Sequence, residues 1–322
     1  MAGEALVARV RHRRRGHLLE QKSVLASVLI APAVIFILAL VGLPLVLAIY
    51  LAFSSATSGS LSGHWVGLAN FRHEWGNAIF QRALWNTFWF TVISQVIVVL
   101  GAGILAHALM HPFRGRWFLR FLILLPWAAP IALGTIAFQW ILDPTFSIFN
   151  WILIHTHTIG TFCSVSGIDN CSATSPPNWL GDTTLARMSI ILVHAWRILP
   201  FATVIFIAGI ASIPTEVHDA AAIDGATGLK KFWYVSLPLQ LPIAIIALLF
   251  GIVFTATDMT VAYVLTHGGP FNSTHMLTTW AFTTGIESGA LGEGAAVSLF
   301  LLPVLAVVAI GMLLAAKRAE VA

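Results

Sequence analysis

Apolar runs of about 20 residues or more recur along this chain, near 25–54, 83–110, 117–142, 184–212, 242–265 and 291–316. Runs of that length cannot cover a surface facing water, but as helices they cross a hydrocarbon core roughly 30 Å thick. Lipid offers no partner to a backbone N–H or C=O, so only helices and closed barrels span it. The alternating segments of about ten residues that barrel strands require are absent. The pattern therefore predicts an all-α integral membrane protein with about six transmembrane helices. Composition agrees, since 58% of the 322 residues are hydrophobic and only 9% are charged, which places the chain in the membrane class. One membrane domain is expected over 24–316, between a basic tail (1–23) and a short tail (317–322), without a Gly/Ser linker or an internal repeat.

Orientation follows from the cations. Arg9, Arg11, Arg13, Arg14, Arg15 and Lys22 precede the first run. Arg114, Arg116 and Arg120 lie between the second and third, Lys230 and Lys231 between the fourth and fifth, and Lys317 and Arg318 after the last. Six alternating spans put all of these on one side, and only Arg72, Arg82 and Arg187 on the other. The bias places both termini and the 213–241 loop in the cytoplasm. The formal net charge of +4 thus reflects topology, not nucleic acid. Arg13 to Arg15 act as a topology signal or also meet anionic lipid headgroups. A basic tract before an apolar run resembles a secretory signal, but Val24 to Phe53 is about twice the length of such a core and is expected to remain as a membrane helix. Pro32 and Pro44 are expected to kink that helix or mark its margins.

Cys163 and Cys171 fall in the 143–182 segment, outside the cytoplasm by the charge argument, where a disulfide and two free thiols are both open. His155 and His157 are too few to make a metal site with them. There is no G-x-x-x-x-G-K-S/T run, H-E-x-x-H motif or nucleophile elbow. The chain offers no residues for an enzyme, and neither cofactor nor metal is expected.

The polar loop Ile213, Pro214, Thr215, Glu216, Val217, His218, Asp219, Ala220, Ala221, Ala222, Ile223, Asp224, Gly225, Ala226 is the densest clue to function. Pro214 suits a helix start and Gly225 a left-handed helix end, giving a helix of about ten residues. Thr227 could cap a second short helix ending before Pro238. Alanines 220 to 222 thin one side enough to enter a partner's groove, and Glu216 and Asp219 suit the helix dipole. The alternative is an amphipathic loop lying on the bilayer.

This loop resembles the cytoplasmic EAA loop of ABC importer permeases: Asp219, Ala220 and Ala221, then Gly225, with Phe232, Trp233, Leu237 and Pro238 behind. Asp219 departs from the usual Glu by one methylene. Gly67, Leu68, Asn70 and Phe71, followed by Ala83, Leu84, Asn86 and Thr87, resemble the G-L-x-N-F and A-L-x-N-T pattern of sugar-type permeases. Tyr263 to Thr266, Gly268, Gly269, Pro270, Ser273 and Thr274 resemble their Y-V-L-T-x-G-G-P-x-x-S-T run, and Trp196, Pro200 and Phe201 their W-x-x-x-P-F. The likeness covers about 29–314 and points to carbohydrate-uptake permeases of the maltose and glycerol-3-phosphate type, with the MetI-like permease fold.

The resemblance implies a second homologous permease, an ATP-binding subunit dimer, and an extracytoplasmic solute-binding protein. It implies ATPase coupling through Glu216, Asp219, Ala220, Ala221, Asp224, Gly225 and Ala226, and inward transport of a di- or oligosaccharide. Glycerol-phosphodiester or polyol uptake is the nearest alternative; a secondary transporter or a membrane enzyme would be a different class. Arg197 and Asp258 each lie about 16 residues from the cytoplasmic loop, hence roughly 24 Å up their helices. Either they pair along the translocation path or each reaches water separately. Thr255, Thr257, Tyr263 and Trp280 complete the substrate-path candidates, with His194 and Gln139 weaker.

Overall fold

Proline placement shapes the first span. The computed structural model describes residues 22–61, 63–168, 171–226 and 228–321; the arginines of the basic tail and Thr227 lie outside the described residues. The chain divides into two units, Met1–Tyr50 and Leu51–Ala322. In the first, α1 (Lys22–Ile37) passes through a π turn (Leu38–Gly42) into α2 (Leu43–Ala52). Pro32 is carried inside α1 without a break. Pro44 cannot donate an N–H and crowds the carbonyl one turn back, and the wide turn just before it relieves that crowding. Leu25–Ala52 is long and apolar enough to cross a membrane. Its large side chains are exposed on all sides, as suits a helix facing lipid.

The second unit begins with α3 (Ala69–Gly76) and α4 (Ala78–Met110), followed by α5 (Arg116–Ala128) and α6 (Ile131–Ile141). Asn77 caps α4, its side chain accepting the Ile79 N–H at 2.9 Å. Sequence reading takes 117–142 as one continuous helix, but α5 and α6 meet at a bend of 95°. Ala129 is extended (ψ 144°) ahead of Pro130, because the proline ring excludes the helical region for the residue before it. The bent pair runs along much of the length of α4. Arg120 Nη2 donates to Leu109 O at the end of α4 (2.8 Å), whereas Leu142 packs with Phe90, Ile190 and Ile191 far up the bundle.

Two short helices, α7 (Ile148–His155) and α8 (Ile159–Ser166), form the following segment. Cys163 and Cys171 are joined there in a disulfide, with Cα atoms 5.4 Å apart. α9 (Thr183–Ala211) starts on Asp182, whose Oδ1 accepts the N–H groups of Thr184 and Leu185. It packs along α4 largely through small residues: Ala102 and Ala106 cluster with Ala195 and Ala202, beside the larger Phe206, with Ala247 from the next span. Helices in lipid gain by close backbone approach, which alanine permits.

After α9 come α10 (Thr215–Ile223), α11 (Gly228–Lys231), a π turn (Phe232–Ser236), α12 (Leu237–Thr257) and α13 (Thr260–Thr266). Two expectations need correcting here. No helix end precedes Pro238, because the wide turn absorbs the proline and Phe232–Thr257 forms one span. That span stops at Thr257 rather than near 265, since Asp258 is extended (ψ 119°) and its Oδ1 accepts the Thr260 N–H at 2.8 Å, opening α13 by side-chain competition for the backbone. α14 (Leu277–Phe282) and α15 (Leu291–Val321) complete the unit. Among the described residues there are only isolated β-bridges, Ser54 with Trp65 and Thr57 with Ser60.

The motif residues outside the cytoplasm serve as fasteners. Asn70 Nδ2 donates to the carbonyls of Ala52 and Ser54 (2.9 and 2.8 Å). Asn86 Nδ2 donates to those of Ser273 and His275 (both 2.8 Å). Thr87 Oγ1 accepts the Leu277 N–H at 2.9 Å. In the Gly-Gly-Pro turn, Thr274 Oγ1 donates to Gly269 O at 2.7 Å, and Gly268 has φ +84° with a Cβ position only 2.2 Å from the His275 ring. Asn86→Ala is expected to take the side-chain donor from His275 O and to leave Ser273 O with Arg187 Nε (3.0 Å) alone, destabilising the fold by about 1–3 kcal/mol. A thermal melt of the purified protein in detergent, unchanged from wild type, would contradict this.

Candidate functional site

Two structures on the chain are candidates for function: an exposed helix in the loop after α9, and a polar network within the bundle. The loop helix α10 begins after Pro214, whose extended ψ of 145° makes it the N-cap rather than the first helical residue. Its end is a Schellman motif. Ala226 N donates to Ala221 O (2.8 Å), Gly225 N donates to Ala222 O (3.1 Å), and Gly225 has φ +74°. That conformation costs an L side chain roughly 1–2 kcal/mol, so the glycine is the stop that the spacing predicts. Glu216, Asp219, Ala220, Ala222 and Asp224 are exposed, and Ala226 is half-buried. Ala221 turns inward and Val217 is half-buried, while Ile223 at the tip is 87% exposed. The helix therefore presents an apolar tip, two small residues and three carboxylates.

The network joins α4, α9 and the break after α12. Asp258 Oδ2 lies 3.0 Å from Arg197 Nη1 and 2.9 Å from His194 Nδ1, with Asp258 only 7% and Arg197 25% exposed. A carboxylate only accepts, so the imidazole carries a proton on Nδ1. His194 Nε2 lies 2.9 Å from Thr255 Oγ1, which also accepts from Gln95 Nε2 (2.7 Å) and donates to Gly251 O (2.7 Å). Trp127 stacks on Phe201 at 4.8 Å and faces the guanidinium at 5.9 Å, a favourable use of the ring quadrupole. Pairing and multiple hydrogen bonds are what allow charges at this depth.

Gly251 is part of the arrangement, because a Cβ there would lie 2.1 Å from Gln95 Oε1. Gly251→Val is expected to push Gln95 away from Thr255 and to cost about 1–3 kcal/mol from overpacking. Gln95→Ala should relieve much of that loss in the double variant. Additive losses in thermal melts of the four proteins would show that no such clash exists.

The remaining sequence candidates scatter. Thr255 is fully buried, with its hydrogen bonds inside the network. Thr257 is exposed and donates to Val253 O at 2.7 Å. Tyr263 OH donates to Glu287 Oε1, a bond that holds the Glu287 carboxyl below the usual carboxylate range. Trp280 Nε1 donates to Glu74 Oε2 at 2.8 Å. Burial pushes the Glu74 carboxyl up, against the lowering effect of that bond. Gln139 Nε2 donates to Val264 O at 3.0 Å. Sequence reasoning did not place Gln95 or Trp127 in this network and named His194 only as a weaker path candidate. The signal was available for His194, which lies three residues before Arg197 on the same helix face, and for Gln95, an amide deep within an apolar run.

The family described as "Binding-protein-dependent transport system inner membrane component" matches residues 99–319. The sulfoquinovosyl glycerol transport system permease protein of Agrobacterium fabrum is 28% identical, over 85% of this chain and 84% of that protein. The trehalose/maltose transport system permease protein of Thermococcus litoralis is also 28% identical, over 85% and 88%. A crystal structure of a bacterial ABC transporter involved in the import of the acidic polysaccharide alginate contains a chain of the same fold. It matches with a TM-score of 0.75 at 18% identity, over 93% of this chain and 97% of that one.

Proposed function

We propose, on the premise that this chain belongs to the binding-protein-dependent transport system inner membrane component family, that it imports a carbohydrate, a di- or oligosaccharide, by alternating access. As a family member it is a multi-pass, non-enzymatic permease of the cytoplasmic membrane that works with a solute-binding protein, which sets aside the secondary-transporter and membrane-enzyme readings. The energy source in our reading is a separate ATP-binding subunit dimer, and a second homologous permease completes the path. The observation that carries this reading is α10, a helix that closes on Gly225 and holds Ala220, Ala222 and Ile223 out in solvent. An apolar tip beside small residues fits the groove of a protein partner better than a bilayer surface, where a broad apolar face is needed. Glu216, Asp219 and Asp224 would meet cations at the groove's rim. Ala221 would act from within, setting the helix on its support.

The names of the relatives support a sugar as cargo. The network supports an uncharged one over a glycerol phosphodiester, because Arg197 is already matched by Asp258. Arg197 and Asp258 would then define the wall of the path. Thr257, exposed and next to Asp258 in sequence, is the hydroxyl best placed to reach a solute, and Tyr263 and Trp280 would stabilise the outer scaffold. Reconstitution into vesicles with the ATP-binding subunit, the partner permease and the binding protein tests the assignment. Uptake of labelled oligosaccharide that requires ATP is expected; uptake driven by an ion gradient without ATP, or selective uptake of a glycerol phosphodiester, would overturn it.

A further inference from the structure

On the side opposite the basic loops, α3 and α15 meet through a cluster that transport does not call for. Gly292 N donates to Ala56 O at 3.0 Å, and a Cβ on Gly292 would lie 2.2 Å from Ser54 O, so glycine lets the start of α15 seat against the segment leading to α3. That seating brings Glu293, in the first turn of α15, to His73 and Glu74 near the end of α3. Glu74 is 1% exposed. Its Oε2 accepts from Trp280, but its Oε1 is buried and has no hydrogen-bond partner. His73 Nδ1 stands 3.6 Å from Glu74 Oε1 and 3.4 Å from Glu293 Oε1, too far for hydrogen bonds. One ligand atom from each of the three residues lies within 4.8 Å of the others.

Three ligand atoms gathered within 4.8 Å of one another, with both His73 contacts longer than a good hydrogen bond, suit a cation held by all three. Zinc holds imidazole nitrogen and carboxylate oxygen at about 2.0–2.2 Å in a tetrahedron, which sets neighbouring ligand atoms about 3.3–3.6 Å apart. The two His73 distances have that length. We propose that His73 Nδ1, Glu74 Oε1 and Glu293 Oε1 bind a divalent transition-metal ion of the zinc class, fastening α3 to α15 on the extracytoplasmic face. The imidazole favours zinc over magnesium or calcium, which prefer all-oxygen shells. Water completes the fourth position beside the exposed His73 ring. The Trp280 N–H orients the Glu74 carboxylate, as outer partners of metal ligands commonly do.

The test uses the full-length protein in its transporter complex, purified through a tag without histidine, treated with a chelator and titrated with Zn²⁺. One saturable zinc per chain is expected, together with a rise in thermal midpoint. His73→Ala and Glu293→Gln should lose both while melting like wild type in the absence of zinc, because His73 is exposed and glutamine keeps the size of Glu293. No saturable binding in the wild type, or binding of wild-type strength in both variants, would overturn the proposal.

Discussion

Asp258→Leu should destabilise the assembled protein by about 3–5 kcal/mol, the usual loss when one partner of a buried charge pair is removed. His194 and Arg197 both converge on Asp258 Oδ2, so its loss leaves two donors facing apolar surroundings. Arg197→Leu should cost less, since Asp258 keeps His194 and the Thr260 N–H and the guanidinium is partly exposed already. The double variant should be more stable than the sum of the single losses implies, because the two side chains are lost as a pair. Thermal melts of wild type, both single variants and the double variant supply the cycle. Strict additivity would mean that the contact contributes nothing as a pair. Cysteines at 197 and 258 that fail to crosslink in every transport state would argue the same way.

Placing glutamates at Ala220 and Ala222 together should leave the melting temperature unchanged while nearly abolishing transport. Both positions are exposed, so the fold has little to lose. A groove that accepts a thin helix cannot admit two charged side chains without desolvating them. Central contacts of this sort are worth about 2–4 kcal/mol of association, a loss of roughly thirty- to several-hundred-fold in affinity. Copurification of the ATP-binding subunit and ATP-driven uptake should fall together. Normal uptake by this double variant would remove α10 as the site where the two subunits are coupled. Gly225→Val offers a milder companion, adding strain at φ +74° without adding charge.

The legible part of this chain was the part written in periodicity and in single-residue stereochemistry. Apolar runs located the spans because the length needed to cross lipid is set by the bilayer. Gly225 announced a helix stop because few other residues accept its backbone angles. The 95° bend between α5 and α6 was also implied, since Pro130 restricts Ala129, but hydropathy averages over such a break and reads one helix. The π turn before Pro238 was hidden for the opposite reason: proline reads as a stop, while a widened turn lets the helix continue.

The polar sites divide along the same line. The depth of Arg197 and Asp258 could be counted from the loop between them, and on those numbers alone a direct pair and two separate charges were equally consistent. Which one holds depends on the rotation of α9 about its own axis and on the chain leaving helical geometry at Asp258. Packing against α4 and the capping of Thr260 N–H set those two features. Likewise Tyr263 and Trp280 looked like members of one pocket, yet each is taken up by a carboxylate distant in sequence, Glu287 and Glu74. Local order thus carries which segments enter the membrane, which way they run and where the loop helix ends, because each is a property of a short stretch in its solvent. The identity of the partners across helices is a long-range property, settled when side chains of fixed size and charge compete for the same interior positions.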